Sequence, residues 1–294
     1  MKKTESALRT DIKKVGIVGC GVMGSGYTQL CAQNSYQVVV CDVSDEFLNR
    51  GLNWIKARLA QGEGVPQGPL SEQQKDVILK RIMGTTNFQD LSDCDLVIET
   101  ATEKMEAKKE IFAELDRICP EDIVLGTNTS VLSVIDIAMV TSRPEQVVGI
   151  HMNPLYFPLV ELVKTLVTSE EALEVAKDFS RSVGKGIVVA KDTPGFIVNR
   201  LFIPFALDAI RMVEEGIASK EEIDALFSQG MGLPTGPLAL LDMVGLDTLM
   251  LASNALYDDL KDPQCAPPVL LKKMVTAGWL GCKSGKGFYE YEQS

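Results

Sequence analysis

Apolar residues fall along this chain in short, nearly continuous runs, separated by longer stretches in which they recur every three or four positions. The runs at 14–18, 38–42, 95–100 ("DLVIET"), 122–128 ("DIVLGTN"), 146–152 ("QVVGIHM"), 159–165 ("LVELVKT") and 186–191 ("GIVVAK") predict strands. The segments at about 22–34, 45–60, 106–118, 133–140 and 170–183 predict helices, and another opens at Ser71 with "SEQQ", a capping-box start. Between these, "QGEGVPQGPL" at 61–70 reads as an exposed, mobile loop. Strands that are apolar throughout, alternating with helices, predict a mainly parallel sheet covered on both faces. At "KDTPGF", 191–196, the pattern changes: helices are predicted near 196–215, 220–230, 236–243, 246–260 and 267–277, with no convincing strand. Two domains are therefore expected, 1–190 and 191–294, the second all α-helical.

The first strand leads into "GCGVMG", which sets Gly19, Gly21 and Gly24 in G-x-G-x-x-G spacing at the opening of a helix. The first glycine permits a tight turn, the second lets backbone approach a pyrophosphate, and the third lets helix and strand pack closely. The phosphates then meet unpaired N–H groups at the helix N-terminus, here those of Val22 and Met23 with the glycines. Asp42 ends the second strand, 18 residues after Gly24, where a carboxylate binds a ribose hydroxyl and repels a 2′-phosphate. The expectation is a Rossmann-type, doubly wound α/β domain that binds NAD rather than NADP. The alternative is a glycine-rich packing turn with a chance aspartate.

Composition narrows the partners. The 294 residues carry 29 Lys+Arg against 40 Asp+Glu, a net charge of −11, with no basic stripe to neutralise a nucleic-acid backbone. The start, "MKKTESALRTDIKK", is basic without the apolar core of a secretory signal, and no apolar run reaches the roughly 20 residues that span a bilayer. A cytoplasmic protein that binds neither membrane nor nucleic acid is expected. Seven cysteines without a C-x-x-C pair read as reduced, small core residues, and with one histidine a zinc held by His and Cys side chains is not expected. Any redox chemistry then falls to an organic cofactor.

That histidine, His151, stands in "GIHMNPLYFPLVELV" at 149–163. An isolated histidine is more often a structural residue than a catalyst. This one follows a strand, and the carboxyl ends of strands form the ligand crevice of open α/β sheets. Glu161 lies among apolar neighbours, where a carboxylate needs a partner. A carboxylate on one imidazole nitrogen fixes the tautomer and leaves the other nitrogen to exchange a proton. Hydride transfer between an alcohol carbon and NAD requires such an exchange, in either direction.

The chain also resembles the short-chain L-3-hydroxyacyl-CoA dehydrogenase family over nearly its whole length. The resemblance rests on "VGIVGCGVMGSG", "DLVIETATEKMEAKKEIFAELD", "TNTSVLSV", "DTPGFIVNRLFIPFALDAIRMVEEGIAS", "GPLALLDMVGLDT" and "GWLGCKSGKGFYEY". It implies His151 as general acid/base, Glu161 as its orienting partner, and Ser130 and Asn199 as hydrogen-bond donors to the substrate oxygen, where negative charge develops as a ketone accepts hydride. Ala101, Glu103, Lys108, Ser130, Asn153 and Lys283 would line the cofactor pocket. It further implies an acyl-CoA substrate and a homodimer formed by the helical domain, whose apolar segments suit a buried contact. Plainer readings stand beside these: Ser130 or Ser133 as an N-cap, Asn199 as a helix-surface residue, Lys283 in a solvated turn.

Two features depart from the family pattern. The usual H-F-F-N-P-x-P-x-M-K-L-V-E places the glutamate twelve positions after the histidine, whereas "HMNPLYFPLVE" places Glu161 ten positions after His151. Tyr156 and Phe157 are expected to add apolar bulk near the acyl group. The helix at 51–60, lysine-rich in relatives, offers Lys56 and Arg58 before "AQGEGVPQG", thin charge for CoA phosphates. "PLVELV" also resembles dehydrogenases of free hydroxy acids such as gulonate or carnitine. The readings are therefore a short-chain 3-hydroxyacyl-CoA dehydrogenase, a dehydrogenase of free 3-hydroxy acids, or a catalytically silent NAD-binding protein. The β-hydroxyacid dehydrogenases are disfavoured, because "TPGFIVNRL" has no suitably placed lysine.

Overall fold

The computed structural model describes residues 7–65 and 68–292, and the chain divides into two compact units, Met1–Asp192 and Thr193–Ser294. The first unit runs β1 (Lys14–Val18), α1 (Val22–Gln33), β2 (Gln37–Cys41), α2 (Asp45–Gln61), α3 (Glu72–Leu79), β3 (Ile82–Thr85), β4 (Leu96–Glu99), α4 (Met105–Ile118), β5 (Val124–Thr127), α5 (Val134–Ala138), β6 (Val147–His151), β7 (Leu159–Lys164), α6 (Glu170–Ser182) and β8 (Gly186–Lys191). The strands form one sheet in the order β3-β2-β1-β4-β5-β6-β7-β8. From β1 the chain builds outward first on one side and later, at β4, on the other, so the crevice at the reversal opens at the carboxyl ends of β1 and β4. All neighbouring strands run parallel except β6 and β7, which pair antiparallel.

The central strands are apolar throughout because helices cover both of their faces. Val15, Ile17, Leu96, Ile98, Val124, Val148 and Ile150 are completely buried in the core that α1 and α6 share. Helix α6 starts on Ser169, whose hydroxyl accepts from Ala172 N, and it buries Leu173, Val175, Ala176 and Phe179 on one side. The capping box read at Ser71 is present: its hydroxyl accepts from Gln74 N while the Gln74 side chain accepts from Ser71 N.

Strand β3 was not expected from the pattern. It is a four-residue edge strand, Ile-Met-Gly-Thr, with Met83 46% exposed, so it lacks the apolar run that marks its neighbours. The loop read as exposed is in part packed on the protein. Its residues 66 and 67 lie outside the described part, and Val65 and Leu70 pack against the core. Gly62 ends α2 in the left-handed conformation (φ 76°), and Gln29 Nε2 donates to Glu63 O at 2.8 Å, so the chain turns back onto α1.

The second unit contains α7 (Val198–Glu214), α8 (Lys220–Ala225), α9 (Pro237–Val244), α10 (Leu246–Leu260) and α11 (Val269–Thr276). Two buried aspartates organise it. Asp224 accepts from Leu238 N and Ala239 N, capping α9, and from Tyr289 Oη. Asp242, with no exposed surface, accepts from Phe288 N, Tyr289 N and Tyr291 Oη. A Cβ at Gly287 would fall 2.0 Å from the Asp242 carboxylate, so the "GKGFYEY" segment is built to wrap that one charge. Six of the seven cysteines are buried as free thiols, as read; Cys282 is exposed, because its turn lies on the surface.

Candidate active site

The glycine loop leaves β1 at Gly19, where the positive φ of 92° and a 3.2 Å approach to Ala101 backbone would strain any side chain. A Cβ at Gly24 would sit 1.9 Å from Gly19 O, so only glycine lets α1 start this close to the strand. Gly21 differs: a Cβ there would meet nothing within 4 Å. Its space is an open cradle at the start of α1, a helix whose first turn has no side-chain cap and no acidic residue. Val22 and Gly21 are exposed on the rim and Met23 is half-buried. Asp42 braces the loop, accepting from Cys20 N at 2.6 Å and from Val43 N at 2.7 Å. Burial pushes the Cys20 thiol up to about 12, with the Asp42 charge adding to it, so this cysteine stays protonated beside the cradle. A cleft of about 800 Å³ continues past Gly19, Gly21 and Asp42 to Phe47, Phe88 and Ala101. These residues fit a dinucleotide: a capless helix end for phosphates, a carboxylate at the end of β2, and an apolar slot beyond it.

Behind the cleft lies a buried polar network. Glu99, with no exposed surface, accepts from Lys108 Nζ at 2.8 and 2.9 Å, from Thr127 Oγ1 at 2.7 Å and from Ala101 N at 2.7 Å. Lys108, 1% exposed, also lies 3.4 Å from Glu103. Glu103 Oε1 in turn accepts from Thr129 Oγ1 (2.6 Å), Ser130 N (2.6 Å) and Val131 N (3.2 Å). Its carboxylate thus shapes the loop that carries Ser130. Ser133, not Ser130, caps α5, accepting from Asp136 N, and Asp192 accepts from Val134 N and Ile135 N at the same helix end. The Lys108 ammonium is engaged by two carboxylates within the protein.

His151 ends β6 directly opposite Glu161 on β7, and its Nδ1 lies 2.7 Å from Glu161 Oε2. The two side chains are 15% and 8% exposed. An ionised carboxylate only accepts, so Nδ1 is the donor in this contact. The antiparallel pairing explains how the pair forms across a shortened segment: register, rather than loop length, sets the two side chains side by side. The connection between them is held by Asn153, whose Oδ1 accepts from Leu155 N and Tyr156 N, and Tyr156 Oη donates to Glu63 at 3.3 Å. Tyr156 and Phe157 are 62% and 51% exposed. On the neighbouring α2, Arg58 turns inward and donates to Ser25 Oγ at 2.7 Å.

The remaining expected residues belong to the second unit. Asn199 lies half-buried in the first turn of α7. Lys283 sits in the surface turn Cys282–Ser284 with its Nζ 2.5 Å from Asp247. The residues that the sequence reading passed over are Tyr27, Glu99 and Asn128; the first two lie inside motifs read for their glycines and strand pattern, and only their burial marks them.

A doubly wound sheet with a glycine cradle at its reversal and a carboxylate-bound histidine on a strand end defines an NAD-dependent oxidoreductase. Comparison with known proteins gives the family. The 3-hydroxyacyl-CoA dehydrogenase NAD-binding domain matches residues 14–193 and the C-terminal domain of the same enzymes matches residues 195–291. The chain belongs to the 3-hydroxyacyl-CoA dehydrogenase family. It is 44% identical over 284 residues to a 3-hydroxybutyryl-CoA dehydrogenase of Mycobacterium tuberculosis, covering 95% of this chain and 99% of that protein. The crystal structure of the (S)-3-hydroxybutyryl-CoA dehydrogenase PaaH1 from Ralstonia eutropha superposes with a TM-score of 0.87 at 39% identity, over 96% of this chain and 100% of that one. A diketoreductase described as acting on dicarbonyl compounds superposes with a TM-score of 0.82 at 26% identity, over 96% and 100% of the two chains.

Proposed function

We propose that the protein interconverts (S)-3-hydroxyacyl-CoA and 3-ketoacyl-CoA of short acyl chains, with His151 as general acid/base and Glu161 as its orienting carboxylate. The observation that carries this reading is the 2.7 Å Nδ1–Oε2 contact at the carboxyl end of β6, in a chain whose relatives are named for 3-hydroxybutyryl-CoA. Bound NAD would supply the hydride acceptor or donor for the substrate's C3. His151 Nε2 takes the hydroxyl proton as the alcohol is oxidised and returns it to the oxygen in reduction. Glu161 keeps Nδ1 protonated and steadies the imidazolium. Ser130 donates to the substrate oxygen, which lowers the cost of its developing charge. Gly19, Gly21, Val22, Met23, Gly24 and Asp42 would hold the dinucleotide, Ala101 and Asn153 would line its pocket, and Glu103 with Lys108 would support it.

One observation favours a second reading, oxidation of a free 3-hydroxy acid: Arg58, one of two cations at 56–58 of α2, is turned onto Ser25 and away from solvent. A substrate series separates the two. NADH oxidation with acetoacetyl-CoA at a kcat/KM at least a hundredfold above that with acetoacetate supports the thioester, and the reverse order supports the free acid.

The same reading includes a cytoplasmic homodimer. Free thiols suit a reducing compartment, and among the described residues no single helix is long and apolar enough to cross a membrane. Leu201, Leu226, Met231 and Met243, all at least 66% exposed, give the second unit apolar surface that a partner copy would cover. Sedimentation of Leu201→Glu/Met243→Glu as a monomer, against a dimeric parent, tests it.

A further inference from the structure

A tyrosine hydroxyl inside an apolar core is costly unless partners satisfy it, and phenylalanine would fill the same space without that demand. Tyr27, on the second turn of α1, has no exposed surface. Its hydroxyl lies 2.7 Å from Ile150 O and 2.8 Å from Asn128 Oδ1. The single hydroxyl hydrogen is therefore shared between two oxygens. Asn128 Oδ1 also accepts from Met152 N at 3.2 Å, which fixes the orientation of its amide. Asn128 N is itself held by Glu99 O at 2.8 Å. Both partners bracket one residue: Ile150 precedes His151 and Met152 follows it.

We infer that Tyr27 and Asn128 are positioning residues that brace the backbone on either side of His151 and tie it to the helix that begins at the dinucleotide cradle. The inference rests on His151 being the acid/base. Tyr27 belongs to α1, whose N-terminus is the glycine loop; Asn128 follows β5 and stands two residues before Ser130; His151 ends β6. One shared hydroxyl thus joins the three segments whose relative placement sets hydride and proton transfer. An orienting brace acts on the chemical step, where a displacement of about 1 Å costs as much as 10²-fold in rate.

The test compares Tyr27→Phe with the parent and with His151→Gln, each normalised to active sites counted by NADH fluorescence titration. Normalisation removes loss of folded protein, the only effect of a purely structural hydroxyl. The expected result for Tyr27→Phe is a kcat per NADH site at least fivefold lower with acetoacetyl-CoA, with the NADH Kd and the acetoacetyl-CoA KM within twofold of the parent. A kcat per site less than fivefold lower overturns the brace, and so does a lower kcat accompanied by NADH binding weakened more than twofold, which would place the effect at the cradle. If Tyr27→Phe matches the parent while His151→Gln is inactive, the brace alone fails. If His151→Gln turns over at the parent rate, the acid/base reading fails and the brace with it. Asn128→Leu, which removes the acceptor shared by Tyr27 and Met152, is expected to reproduce the Tyr27→Phe profile.

Discussion

Replacing Lys108 by methionine separates a residue that holds the cofactor from one that holds the protein. The substitution keeps length and apolar bulk but removes an ammonium that lies 2.8 and 2.9 Å from Glu99 and 3.4 Å from Glu103. Removing one partner of a buried pair costs about 3–5 kcal/mol, because the other charge stays buried without compensation. Glu99 keeps donors from Ala101 N and Thr127 Oγ1 and Glu103 keeps three, so the lower end applies, about 3 kcal/mol. At roughly 2–4 °C per kcal/mol for a unit of this size, the melting temperature falls by about 6–12 °C. In Glu99→Gln/Lys108→Met both charges are gone, and a double-mutant cycle followed by calorimetry should return at least about 2 kcal/mol of coupling. NADH affinity, read by fluorescence titration below the melting range, should change less than threefold. NADH binding at least tenfold weaker, with a melting temperature within about 2 °C of the parent, would refute the reasoning and make Lys108 a cofactor ligand.

The two glycines of the cradle should separate in the same way. Gly21→Ala, whose Cβ enters open space, should leave the melting temperature within about 2 °C of the parent yet weaken NADH binding at least tenfold, whereas Gly24→Ala, whose Cβ meets Gly19 O at 1.9 Å, should lose both affinity and about 1–3 kcal/mol of stability. Equal loss of stability in the two variants, by thermal melts with and without NADH, would show that Gly21 is a packing glycine. At Asp95, burial raises the carboxyl pKa, but the hydrogen bonds from Arg9 and from Lys13 N and Lys14 N outweigh it and hold it below the usual carboxylate range. A depressed pKa gives stability that is present above the unfolded value and lost as pH falls through the folded one. Asp95→Asn should therefore destabilise by about 1 kcal/mol at pH 7 and by progressively less below pH 4; a difference that stays constant down to pH 3 would contradict it.

Much of the fold was legible because burial on two faces writes itself into composition. The strands at 14–18, 95–100 and 146–152 are apolar runs, and the glycine spacing between β1 and α1 admits few other geometries. Glu161 was legible for a complementary reason, as a carboxylate inside "LVELV" that demands a partner. Strand β3 was not, since an edge strand with Gly84 and a half-exposed Met83 needs no apolar run. The direction of a long side chain is equally silent. Lys108 read as a cofactor-pocket residue and Arg58 as a cation for CoA phosphates, yet each turns inward, toward Glu99 and Ser25, because the partner comes from another segment that the helix pattern does not show. Tyr27 sits in "GSGYTQL", where it reads as one more apolar position; its hydroxyl acquires meaning only when β5 and β6 bring Asn128 and Ile150 to it.

The acid/base assignment is tested most directly by His151→Gln. Glutamine keeps a hydrogen-bonding side chain near Glu161 but has no titrating nitrogen. With acetoacetyl-CoA and NADH, initial rates from absorbance at saturating substrate should fall at least a hundredfold, the scale of general acid–base catalysis, about 10²–10⁴-fold, while the NADH Kd stays within threefold of the parent. Turnover within tenfold of the parent, or loss of NADH binding together with activity, would contradict the account and return His151 to a structural role.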